Sequence, residues 1–200
     1  MLSKNRPSRE EVHSSILQTA RDIAATGGWA AVTVRKVAER IGYTAPIIYE
    51  HFGSKDEMLN QILKDGYASL YAQVVEEVEK HTDSEGRITG IVMVFWSFSH
   101  TTPELYQLMY GMEGARATSE KARGYAQPLV VFVTKELIRF DPKRITADNV
   151  VTYMVEAWSM LHGMIALDIS GYTAKYIADN QKLSELLTAD VLHILRRQQT

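Results

Sequence analysis

Apolar residues in the first quarter of the chain recur with helical spacing, in short stretches closed by glycine. Val12, Ile16, Ala20, Ile23 and Ala24 share one helical face. Ser8 and Glu11 form a capping box ahead of them, just after Pro7, and Gly27-Gly28 stop the run. Val34, Val37, Ala38 and Ile41 follow the same spacing behind a capping Thr33, and Gly42 supplies the left-handed residue that ends this second helix. Thr44 is expected to cap a third, short helix with Pro46 in its first turn, where the missing N–H costs little, and Gly53 closes it. Ser54 and Glu57 then open a longer helix running towards residue 80.

Beyond a polar connector at Asp83-Ser84-Glu85-Gly86, helices are expected over 87–99, from Pro103 onwards, and over about 125–139, 146–170 and 174–197. The stretch from Gly111 to Gly124 is loosely patterned, and no segment alternates convincingly as a strand. The fold class expected is therefore all-α. A three-helix domain over residues 1–53, with the start of the next helix to about 62, precedes a larger helical domain over 54–200. The 146–170 helix is apolar nearly all round and the last helix is apolar over more than one stripe, so each must be covered on several faces. Pairing them with their copies in a second subunit would make a four-helix interface; the residues expected there are Val151, Val155, Leu161, Ile165, Leu187, Val191, Ile194 and Leu195. A membrane span is the rival explanation for Val150–Ile169, but Glu156, His162 and Asp168 argue for burial in protein.

Composition narrows the chemistry. Of 200 residues, 46% are hydrophobic and 23% charged, which suits a folded soluble chain. Cysteine is absent, so disulfides, thiolate zinc sites and cysteine nucleophiles are excluded, and a reducing cytoplasm is a comfortable setting. The N-terminal MLSKNRPSREE lacks the apolar core of a signal peptide. No phosphate-binding G-x-x-x-x-G-K, G-x-S-x-G or H-E-x-x-H motif occurs, and the six histidines lack metal-ligand spacing. An enzyme is therefore disfavoured, and no cofactor or metal site is expected. The net charge of −2 makes no global case for a nucleic-acid partner, so any such case must rest on where the charges sit.

Their placement is informative. Val37 to Phe52 reads as an amphipathic helix, a glycine turn and a short second helix, which is the helix-turn-helix pattern. Arg35, Lys36 and Lys55 lie in first turns of helices, where the helix dipole disfavours cations unless the helix end faces an anion. The segment TVRKVAERIGYTAPIIYEHFGSKDEML, residues 33–59, resembles the TetR family of bacterial transcription regulators. Thr33, Gly42, Tyr49, His51, Phe52, Gly53, Ser54, Lys55 and Asp56 carry the resemblance, which with Trp29 extends over about 8–62. PELYQLMYG and AWSMLHG, with Trp158, His162 and Gly163, resemble the Trp-His-Gly type of TetR C-terminal domain.

The resemblance implies a cytoplasmic, ligand-responsive repressor that binds double-stranded, near-palindromic operator DNA as a homodimer, with two recognition helices about 34–36 Å apart. Contacts are then expected from Thr33, Arg35, Lys36, Thr44, Ala45, Pro46, Ile47, Tyr49, His51 and Lys55. Tyr49 and His51 are placed to donate to phosphates. Where many relatives carry Lys or Gly and a small hydroxyl residue early in the recognition helix, this chain has Ala45, Pro46 and Ile47, so Ile47 is expected to read a thymine methyl. Lys4 and Arg6 form either a minor-groove arm or a polar tail.

The second domain is expected to hold a small, largely apolar effector. Met-rich, aromatic surroundings suggest Phe95, Trp96, Phe98, His100, Tyr106, Met109, Tyr110, Met154, Trp158 and His162, with His100, His162 and Glu156 as orienting polar groups. The same residues would equally furnish an ordinary helical core. An activator, or a helical small-molecule carrier with a vestigial DNA-binding domain, remains the alternative reading.

Overall fold

A computed structural model of the chain describes residues 7–112, 119–177 and 179–197. Lys4 and Arg6 lie outside the described residues. Nine α-helices and no strands occur among them: α1 (Arg9–Gly27), α2 (Val34–Arg40), α3 (Pro46–Phe52), α4 (Lys55–Glu79), α5 (Ser84–Thr101), α6 (Pro103–Met109), α7 (Ser119–Phe140), α8 (Val150–Ile169) and α9 (Asn180–Arg196). Short 3-10 turns follow α1, at Trp29–Ala31, and α8, at Thr173–Lys175. The all-α expectation holds. The last helix starts later than its periodicity suggested, because the Thr173–Lys175 turn intervenes and Asp179 caps α9 by accepting from the N–H groups of Gln181 and Lys182.

The chain divides into two compact units. The first gathers residues 1–66 and 104–125, and the second residues 67–103 and 126–200. In the first, Ser8 and Glu11 close their capping box at 2.6 and 3.1 Å. The α1 face of Val12, Ile16, Ala20, Ile23 and Ala24 is buried, as its spacing requires. α1 packs on α2, and α2 on α3. The unit also takes in α6. The Trp29 indole N–H donates to the Glu104 carbonyl at 2.7 Å, and Arg21 donates to the Glu104 carboxylate at 2.9 and 3.1 Å. Gly66 of α4 leaves room for α6, since a Cβ there would stand 2.9 Å from Leu105 Cδ1 and 3.0 Å from Met109 Sδ.

In the second unit α5, α8 and α9 pack together. Their core is Ile91, Phe95, Phe98, Leu161, Ile165, Leu187 and Leu195, joined by Leu129, Val133 and Leu137 of α7. Arg87 of α5 ties this unit: it meets the Glu136 carboxylate of α7 at 2.6 and 2.9 Å and donates to the carbonyls of Val78 and His81 at the end of α4. α8 is long and apolar enough to cross a membrane by composition alone, with mean hydropathy 1.3. Its acids are nevertheless paired, Asp168 with His100 of α5 in a part-buried contact and Glu156 with Arg197 at the surface.

Candidate functional site

Two short helices build the exposed end of the first unit. Thr33 caps α2 by accepting the Lys36 N–H at 3.2 Å. Ile41 and Gly42 then leave the helix, and Gly42 takes φ +78°, a value that only glycine adopts cheaply. α3 departs from expectation at its start. Ala45, not Thr44, is its N-cap; no side chain caps it, and the Thr44 carbonyl accepts the Ile47 N–H instead. Proline at the first helical position lacks an N–H, so this turn needs one acceptor fewer and forgoes a capping hydroxyl. Thr44 is thereby left exposed.

α3 is anchored by one side and open on the other. Ile48 is fully buried, as are Val37 and Ala38 of α2. Phe52 is half-buried and stacks on His13 of α1, ring centroids 4.4 Å apart. Tyr49 is 54% exposed; Pro46 and Glu50 are exposed, and Ala45, Ile47 and His51 half-exposed. Thr33, Arg35 and Lys36 are exposed on α2, and Lys55 is partly exposed at the start of α4. Thus every residue expected to touch DNA keeps some surface, while Ile48, which anchors α3, has none. Arg35 is held along its own helix by Glu39 at 2.7 Å, an exposed pair that costs little to break. Beside α3 lies a recess of about 490 Å³ lined by Pro7, Arg9, Val12, Tyr43, Ile47, Glu50 and His51. The His51 imidazole is held below its ordinary value by burial, then by Arg9 and His13, with Glu50 opposing.

A second feature sits among α5, α7, α8 and α9: an almost wholly apolar cavity of about 40 Å³. Ile88, Ile91, Val92 and Phe95 line it from α5, Val133 and Leu137 from α7, Met154, Ala157, Trp158 and Leu161 from α8, and Val191 from α9. A space of this size holds only a few water-sized molecules, and its carbon walls offer water no partners.

A family model described as bacterial regulatory proteins, tetR family, matches residues 16–62, and one described as tetracyclin repressor-like, C-terminal domain, matches residues 88–191. The chain belongs to the TetR family. Among TetR-type relatives, the transcriptional activator FasR of Mycolicibacterium smegmatis is 27% identical over 106 residues, 53% of this chain and 48% of FasR. The transcriptional repressor KstR2 of the same species is 31% identical over 78 residues, 39% of this chain and 38% of KstR2. The chain thus spans about half, or less, of the length of these curated relatives. The fatty acid degradation regulator FadR from Bacillus halodurans shares the fold, with TM-score 0.74 and 14% identity over 98% of this chain and 100% of that one.

Within this TetR fold the residues expected around an effector scatter. Phe95, Met154 and Trp158 line the cavity; Trp96, Phe98, His100 and His162 belong to the same unit but not to its lining. Helical rotation is the reason, because the α5 wall is Ile88, Ile91, Val92 and Phe95 at i, i+3, i+4 and i+7, and Trp96 and His100 project elsewhere. His100 Nε2 meets the Asp168 carboxylate at 2.7 Å and its Nδ1 the Trp96 carbonyl at 2.7 Å. Tyr106, Met109 and Tyr110 are in the first unit altogether. Glu156 pairs with Arg197 at 2.8 Å rather than facing the cavity. The aliphatic run before Phe95 was the overlooked signal.

The expected dimer residues also divide. Val151 and Val155 are 60% and 55% exposed, and Ile194 is half-buried. Leu161, Ile165, Leu187, Val191 and Leu195 are buried inside the single chain, so they belong to its own core and not to a surface between subunits. α8 and α9 use one face on each other and on α5, which periodicity could not separate from a face used on a copy.

Proposed function

We propose that this TetR-family protein is a homodimeric, ligand-responsive repressor of transcription. Residues 1–53 and the start of α4 read operator DNA, and residues 54–200 dimerise and hold an effector. The observation that carries this reading is α3: a short helix whose Ile48 is locked into the core while Tyr49 and its neighbours stay exposed. A groove-reading helix needs that combination of rigid seating and free surface. Ala45, Pro46 and Ile47 face bases, with Ile47 on a thymine methyl, while Thr33, Arg35, Lys36, Thr44, Tyr49, His51 and Lys55 hold phosphates.

The partner in dimerisation is a second copy across α8. Val151, Val155, Ser159, Gly163 and Leu167 repeat every fourth residue along one exposed stripe of that helix. A Cβ on Gly163 would meet nothing within 4 Å among the described residues, so no contact among them calls for its smallness. A second helix laid there would cover the stripe closely. The effector is small and apolar, fitting the carbon-lined cavity, which it enlarges by moving Met154 and Trp158. If it binds the DNA-free form better, it lowers DNA affinity by the same factor.

Gel-shift titration with the DNA flanking the protein's own gene tests the reading. The wild type is expected to shift it. Arg35→Ala and Lys55→Ala are each expected to weaken binding across all sequences and lower the salt slope by about one. A wild type that shifts no DNA would leave the small-molecule carrier as the surviving alternative.

A further inference from the structure

The exposed face of α3 carries a negative charge that phosphate contacts do not explain. Ile48 is fully buried, and at about 100° per residue Glu50 lies about 200° further round the helix. Glu50 therefore leaves α3 on the side opposite its anchor, at the crest of a surface flanked by Ile47 and Tyr49. It is exposed, and with Ile47 and His51 it walls the recess of about 490 Å³ beside α3. Arg9 lines the same recess from α1, yet Glu50 forms no hydrogen bond or ion pair with it or with any other side chain among the described residues. By contrast, Glu39 of α2 is paired with Arg35, and Glu57 of α4 with Lys121.

A carboxylate pressed towards a polyanion weakens binding through repulsion and lost hydration, unless hydrogen-bond donors receive it. Phosphates offer none. In the major groove the donors are the amino groups of cytosine and adenine. Their flanks differ. Adenine N6 stands between two acceptors, its own N7 and thymine O4, whereas cytosine N4 has an acceptor on one side only, guanine O6. An ionised carboxylate carries acceptors alone, so its second oxygen is repelled beside adenine and tolerated on the open side of cytosine.

We propose that Glu50 is a specificity-determining residue that selects a cytosine in each half-site, its carboxylate accepting from the N4 amino group. The inference rests on the DNA-binding reading and adds to it a base-reading residue outside the set expected to touch DNA. The same charge rejects sequences that lack the donor, so Glu50 discriminates by repulsion as well as by attraction. Ile47 and Glu50 are about 4.5 Å apart along the helix axis, so the thymine and the cytosine they read lie within about two base pairs of each other. Twofold symmetry repeats the two bases in the other half-site.

The test is selection from random duplexes by the wild type, Glu50→Ala and Glu50→Gln, followed by fluorescence anisotropy on the selected duplex and its single-position variants. Glu50 is exposed, and unchanged melting temperatures confirm that both variants fold. Wild-type sites are expected to carry cytosine at one position in each half, and replacing it in one half should raise Kd about tenfold. Glu50→Ala should discriminate less than about twofold at that position and bind an unrelated duplex about threefold more tightly, because the repulsive charge is gone. Glu50→Gln presents an acceptor and a donor together, which match adenine N6 and N7, so its preference there should move from cytosine to adenine. Three results overturn the assignment while leaving DNA binding intact. They are a cytosine preference that survives Glu50→Ala, a base other than cytosine at the position that variant relaxes, and undiminished cytosine selectivity in Glu50→Gln. A wild type that selects no DNA overturns the regulator reading, and the role of Glu50 with it.

Discussion

Single side chains decide where charge can sit in this molecule. His162 is mostly buried on α8 beside Trp158, their ring centroids 4.7 Å apart, and burial pushes its pKa down to about 4. An unfolded chain would hold this imidazole near its ordinary value of about 6.5. Because the folded-state value is depressed, the stability that the neutral ring contributes is fully present above about pH 6.5 and is lost as pH falls towards 4. The melting temperature of the wild type should therefore drop more steeply than that of His162→Gln across that window, measured by circular dichroism. Parallel profiles would show that protonation of this ring is not what acid acts upon. His162 and His100 illustrate what residue type alone conveys. Both were legible as polar groups in an apolar segment; Trp158 stands one helical turn before His162 and its contact is local, whereas the pairing of His100 with Asp168 joins residues 68 apart in sequence.

At the scale of elements, the boundaries of the first three helices followed the chain closely because glycine, proline and capping residues act locally, whereas α7 starts six residues earlier, α8 four later and α9 six later than periodicity suggested. Ser8, Thr33 and Gly42 behave as their neighbours in sequence demand. The Thr44 cap failed where two local rules competed, a hydroxyl cap against proline at the first helical position. Packing between helices is less legible, and Gly66 shows why. Nothing in its sequence neighbourhood calls for glycine in the middle of α4, yet α6 lies against it, with Leu105 Cγ 3.1 Å from the position of a Cβ. Gly66→Val should destabilise the protein by about 1–3 kcal/mol through overpacking, despite the better helix propensity of valine. Leu105→Ala should cost about 2–5 kcal/mol by itself. Combined, the two should cost less than their sum, because the added methyls occupy the vacated space. Urea unfolding of the four proteins in the cycle measures this; strict additivity would place the clash elsewhere.

For the whole molecule, the proposed pairing of α8 with its copy makes a clear demand. Val155 is 55% exposed in the single chain, so Val155→Asp should leave the protomer folded. It should nonetheless abolish the dimer, since an unpaired carboxylate would be buried at the centre of the contact. Sedimentation equilibrium should report a monomer, with operator affinity falling because two half-sites are no longer engaged together. A variant that remains dimeric would move the interface to another surface. Melting shifts with a panel of uncharged hydrocarbons and aromatics would test the cavity in parallel, because binding to the folded state raises its stability. Val133→Trp, which fills one wall, should suppress those shifts.

Helical class, the positions of the stops, the helix-turn-helix and its exposed residues were all determined by sequence, because each depends on neighbours within about a turn of helix or on a spaced local motif. Which apolar faces meet inside the protomer was decided only by tertiary structure. Leu161 and Val191 looked like subunit contacts and became cavity walls, while Tyr106 and Met109 looked like cavity walls and joined the first unit. A wide apolar stripe states that a helix must be covered; the covering surface is chosen by the packing of helices far apart in the chain.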